Sequence, residues 1–92
     1  MSEIPQQQQE DEGDVLTIEP AKVILFNDDV HTFEEVITQI MKAIRCTQSK
    51  AEGLAWEAHN QGKTAVFTGE MIRCMEVSQV LEEIKLMTQI EI

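Results

Sequence analysis

Four polar side chains in this sequence could act together on one ligand. Asn27, Asp28 and Asp29 are adjacent in the chain, and His59 lies far downstream. An amide and two carboxylates on one turn can accept hydrogen bonds from a cation, and an imidazole can contribute one more. A cationic amine would suit such a set. The same residues also have a purely structural use. Asn and Asp bond their own backbone in turns, and a histidine in the last turn of a helix is favoured by the macrodipole. Spacing alone favours that structural use.

Other chemistries find less support. Asp28, Asp29, His31, Glu34 and His59 carry metal-ligating atoms, but there is no H-x-x-x-H, EF-hand or Cys-His spacing. No G-x-S-x-G surrounds a nucleophile, and no glycine-rich loop could cradle a phosphate. The expectation is a binding protein with no metal and no cofactor, not an enzyme.

The elements around these residues can be read from apolar spacing. Ala21–Phe26 (AKVILF) has the composition of a buried strand and runs directly into the Asn27-Asp28-Asp29 turn. Thr32 with Glu35 three residues on forms a capping box. Phe33, Val36, Ile37, Ile40, Met41 and Ile44 then recur at helical spacing, predicting a helix over 33–45. A second helix is predicted over 48–61, capped by Thr47 or Ser49 and stopped at Gly62, with Ala51, Leu54, Ala55 and Ala58 as its apolar stripe. Gly53 within it suggests close packing against the first helix. Thr64–Thr68 reads as a strand broken by Gly69, and Arg73–Lys85 as a third helix. The alternation of 87–92 reads as a terminal strand. The order β-α-α-β-α-β implies an α+β fold: a small three-stranded antiparallel sheet with three helices on one face.

Composition narrows the partners. The net charge is −10, from 17 acids and 7 bases, which argues against nucleic acid and anionic membranes. Five of the acids lie in the first 14 residues, a glutamine-rich stretch with almost nothing to bury. Residues 1–20 are expected to be a flexible acidic extension and 21–92 the folded core. Cys46 and Cys74 form no C-x-x-C pair and no secretory signal is present, so both read as free buried thiols of a cytoplasmic protein. Trp56, the single tryptophan, falls to one side of the helix-two stripe. It is either a partly buried flank residue or an exposed aromatic at an interface.

Several stretches together resemble the ClpS family of protease adaptors. Val23–Asp29 is similar to the family's apolar strand ending in N-D-D. Phe33-Glu34-Glu35-Val36 is similar to the start of its next helix, Ala55–Lys63 to its helix end H-x-x-G-K, and Val66–Glu70 to its V-F-T-x-E strand. The Val77–Ile84 helix and the short last strand complete a resemblance over residues 21–92. It implies a monomeric, non-enzymatic adaptor. Such an adaptor binds proteins with a bulky hydrophobic N-terminal residue (N-degrons) and delivers them to a ClpA-type AAA+ unfoldase of a Clp protease, with the N-terminal extension engaging the unfoldase. Carried over residue by residue, it implies that Asn27, Asp28 and His59 hold the α-amino group, leaving Asp29 to shape the turn. It likewise implies a hydrophobic pocket of Phe33, Ala55, Ala58 and either Leu86 or Met87. Two alanines where many members have larger residues imply a wider or shallower pocket with relaxed discrimination. Val30-His31-Thr32-Phe33 departs from the family's aromatic followed by Thr-Pro-Met. A pocket blocked by Phe33 would instead suit a ClpS-like docking domain blind to N-degrons.

Overall fold

The computed structural model describes residues 20–92. Most of the acidic extension expected over residues 1–20 lies outside the described residues. Six elements follow in the order expected: β1 Ala21–Phe26, α1 Phe33–Ile44, α2 Gln48–Gln61, β2 Lys63–Gly69, α3 Met71–Glu82 and β3 Thr88–Glu91. β1 is the central strand of an antiparallel sheet ordered β2-β1-β3.

β1 is central because its side chains suit burial along nearly its whole length. Ala21, Val23 and Leu25 face the helices with at most 1% exposure. They meet Ile40 of α1, Ala51 and Ala55 of α2, and Cys74, Val77 and Leu81 of α3 in one cluster. Complete burial of a Leu, Ile or Val side chain stabilises the fold by about 1.5–3 kcal/mol, and this layer forms the core. The β1–β2 register slips between Val23 and Ile24, opposite Phe67 and Ala65, and Val66 is the extra residue. Val66 faces inward, 5% exposed, in alternation with buried Thr64.

Helix α1 starts as its sequence predicts. The Thr32 N–H donates to Glu35 Oε1 at 2.8 Å and the Glu35 N–H donates to Thr32 Oγ1 at 3.1 Å, a complete capping box. It ends at Ile44, one residue before the predicted end, because Arg45 takes the left-handed conformation (φ 56°) as its C-cap. Of the two candidates, Thr47 caps α2, its Oγ1 accepting from the Lys50 N–H at 3.2 Å. Gly62 closes α2 with φ 89°, a conformation that a side chain would strain.

Several sequence expectations need correction, among them a strand broken by Gly69, since β2 includes that residue. α3 begins at Met71, two residues early, with no side-chain cap at Glu70 to announce it. It ends at Glu82 rather than Lys85, because Lys85 turns left-handed (φ 67°). Gly53 marks no close helix contact: it is exposed, and a Cβ built there meets nothing within 4 Å. Cys46 and Cys74 are free; Cys74 is buried and Cys46 half-buried. Among the described residues no helix is long and apolar enough to cross a membrane.

Candidate functional site

Two backbone bonds fix where the N-D-D turn points. The Asn27 N–H donates to the Gly62 carbonyl at 2.9 Å, joining the end of β1 to the end of α2. The Phe26 N–H donates to the Met87 carbonyl at 3.1 Å, joining the same end of β1 to the start of β3. Three distant stretches therefore converge on one turn. His59 arrives one helical turn before Gly62, and Leu86 arrives beside Met87. Gln39 holds the third stretch in place, its Nε2 donating to the Val80 carbonyl at 2.5 Å near the end of α3.

Between these stretches lies a cleft of about 260 Å³. Its polar end is formed by Asn27, Asp28, Asp29, His31 and His59, and its apolar end by Leu25, Phe26, Phe33, Val36, Ala55, Ala58 and Leu86. Seven of the eight residues singled out from sequence share it: Asn27, Asp28, His59, Phe33, Ala55, Ala58 and Leu86. Met87 does not. Its side chain is 68% exposed and points away, whereas Leu86 is 2% exposed against the core. The alternation of side chains at the entry to β3 makes the two residues exclusive choices.

The turn divides its labour differently from the expectation. Asp28, not Asp29, shapes it. Asp28 Oδ2 accepts from the Val30 N–H at 3.2 Å, the His31 N–H at 2.6 Å and His31 Nδ1 at 2.5 Å. The two backbone donors are an Asx turn, and the imidazole adds an ion pair when protonated. Among the described residues Asp28 Oδ1 has no hydrogen bond, and Asp29 is exposed with none at all.

These contacts set the charge state. Desolvation pushes the Asp28 carboxyl up, but the His31 backbone N–H, the His31 ring and the Val30 N–H together outweigh it. The group sits below its ordinary 3.8. The bond to Asp28 lifts His31 above its ordinary 6.5 against desolvation, helped by the Asp28 charge, the Ile84 carbonyl and Glu35.

His59 is exposed and lies among rings. It stands edge-on to Phe33 at 6.2 Å and to Trp56 at 5.9 Å, and Phe33 and Trp56 pack at 4.6 Å. Trp56 flanks the helix stripe, packed against Phe33, and is 54% exposed. Among the described residues no cluster of His, Cys, Asp and Glu is arranged to hold a metal ion.

Sequence reasoning missed His31, Val36, Leu25 and Phe26 as cleft residues. A signal for His31 was available, since it follows Asp28 by three residues inside a turn, where an Asx carboxylate meets such neighbours. Val36 follows Phe33 by the spacing that puts residues on one helix face. The site as a whole offers carboxylate oxygens at one end and a shallow apolar hollow at the other. Such an arrangement suits a cationic group attached to a hydrophobic side chain.

A family model described as "ATP-dependent Clp protease adaptor protein ClpS" matches residues 17–89. The E3 ubiquitin-protein ligase UBR2 of Homo sapiens is 40% identical over 58 residues, and so is UBR2 of Mus musculus. Those residues are 63% of this chain but only 3% of either ligase. Among solved structures, Agrobacterium tumefaciens ClpS2 bound to L-phenylalaninamide matches with a TM-score of 0.74 at 22% identity, covering 79% of this chain and 95% of that one. At that identity the likeness is one of fold.

Proposed function

The chain belongs to the ClpS family, and from that membership and the cleft we propose that it is an adaptor for proteins with a free α-amino group and a bulky hydrophobic first side chain. In this reading it passes them to a ClpA-type AAA+ unfoldase for degradation, acting as a cytoplasmic monomer and not as an enzyme. The observation that carries the reading is the meeting, in one cleft, of the Asn27–Asp29 turn and His59 with the apolar wall of Phe33, Ala55, Ala58 and Leu86.

The physical case is direct. An α-amino group has a reference pKa near 7.7–8.0 and is substantially cationic at neutral pH. Asp28 Oδ1 accepts from it in a charge-assisted bond, stronger than a neutral one. The Asn27 side-chain carbonyl and a ring nitrogen of His59 accept its remaining N–H bonds, and Asp29 adds a second negative charge at the mouth. The first side chain then enters the apolar end. L-phenylalaninamide, the molecule bound to the Agrobacterium protein, has this pairing of free amine and apolar side chain. The space left open beside Phe33 favours this reading over a docking domain blind to N-termini.

The test is binding of a peptide that begins with Phe, free and N-acetylated. Acetylation removes both the charge and the donors. The expected loss is about tenfold or more, the worth of one hydrogen bond to a charged group. Equal binding of the two forms, or binding of neither, would refute the proposal.

A second reading keeps the recognition step and changes the recipient. The 40% identity to a stretch of a ubiquitin ligase favours a role in presenting the bound protein to a ubiquitin-transferring partner. Co-purification from the native source separates the two, since the recipient is an AAA+ ring in one case and a ubiquitin ligase in the other.

A further inference from the structure

We propose that Trp56, which does not itself line the cleft, is the positioning residue that fixes both the Phe33 wall and the His59 ring and thereby sets which first side chains are accepted. The proposal deepens the N-terminal recognition described above and rests on it.

Phe33 packs on the core with only part of its surface. It is the first residue of α1, and the α2 residues that line the cleft with it are His59 and the short Ala55 and Ala58. Behind it lies a second hollow of about 440 Å³, bounded by Phe33 itself, Ile37, Met41, Glu52 and Trp56. Phe33 is therefore a partition with open space on both sides. A side chain in that position is not locked by the dense packing that holds a core residue in one rotamer. Its ring contact with Trp56, at 4.6 Å and 57° between planes, limits its movement from the far side.

His59 depends on the same neighbour. Trp56 and His59 are three residues apart on α2 and share one helix face. The imidazole stands at 79° to the indole and at 89° to the Phe33 ring. These edge-to-face contacts are of the favoured kind, and among the described residues no hydrogen bond orients the imidazole. Trp56 thus touches the residue that bounds the apolar end and the residue that contributes to the polar end. The indole packs on Phe33 and His59 and is otherwise open to water, 54% exposed.

The experiment compares Trp56→Ala and Trp56→Phe with the parent, using peptides that begin with Phe, Leu or Ile. Trp56→Ala is expected to weaken the Phe peptide about tenfold, the worth of a lost aromatic pair, and to reduce discrimination between Phe and Ile as Phe33 swings toward the second hollow. Trp56→Phe keeps a ring in place and is expected to restore most of both. Two results would overturn the proposal: Trp56→Ala with parental affinity and parental discrimination, or a folded Trp56→Phe as impaired as Trp56→Ala. If the parent binds no peptide, the recognition reading itself fails. The positioning role is then decided in the peptide-free protein by NMR. A single Phe33 rotamer in contact with His59 in the parent, lost in Trp56→Ala and kept in Trp56→Phe, supports it; identical spectra for the two rings in all three proteins refute it.

Discussion

At one end of the cleft Asp28 Oδ2 collects three donors within 3.2 Å, and the neighbouring Asn27 N–H is tied to Gly62. At the other end Phe33, Val36, Ala55 and Leu86 are held by packing and by contacts between rings, and Ala58 is buried. Hydrogen bonds impose distance and direction, whereas apolar contact imposes little beyond shape. The polar end should therefore treat every free N-terminus alike. The apolar end should distinguish ligands by size and is the part that substitutions can retune.

The sharpest way to break that contrast is Asp28→Ala. It removes a charged acceptor, worth roughly 1.5–3 kcal/mol of binding, together with the carboxylate that shapes the turn. Affinity should fall by a similar factor for Phe, Leu and Trp peptides, and the melting temperature should fall as well. A loss confined to one peptide, measured by calorimetry across the series, would place Asp28 in selectivity instead. Ala58→Leu probes the opposite end. It fills a position only 4% exposed, so the penalty should grow with ligand size, on the order of 1 kcal/mol more for a Trp than for a Leu peptide. A uniform penalty would show that Ala58 does not bound the side-chain space.

The smallest effect concerns the Asp28–His31 pair, whose side chains remain 18% and 16% exposed and are partly screened by solvent. The Asp28 pKa is depressed, so its contribution to stability is present above the ordinary 3.8 and fades as pH falls through the lower folded value. The His31 pKa is raised, so its contribution is full below 6.5 and fades as pH rises through the higher folded value. The pair stabilises most between those limits. Thermal melts at about pH 5.5 and about pH 8.5, on either side of the reference His value, should show a smaller difference for His31→Gln than for the parent. An unchanged difference would mean that the pair does not contribute to folding.

Much of the fold was legible because local and global signals agree. The apolar run of β1, the Thr32–Glu35 box and Gly62 each name an element boundary by a mechanism, and all three hold. α3 was less legible because Glu70 makes no side-chain cap and Met71 and Ile72 fit no period. Its end depends on Lys85 adopting a left-handed conformation, which nothing in a lysine announces. At the site, residue types and spacing identified most of the side chains that gather there. They did not reveal which carboxylate the turn would consume, since Asp28 and Asp29 differ only in which neighbours curl back toward them. Nor could periodicity reveal Trp56 on Phe33, because that contact joins two helices and depends on how they pack.

The two bonds that clamp the end of β1 also bear on when the site comes into being. One closes a loop from Asn27 to Gly62 and the other from Phe26 to Met87, almost the full span of the folded core. Loops of that length form late relative to local turns and helices. A chain still emerging from the ribosome can wind α1 around its capping box, but it lacks one wall of the cleft until Leu86 has been added.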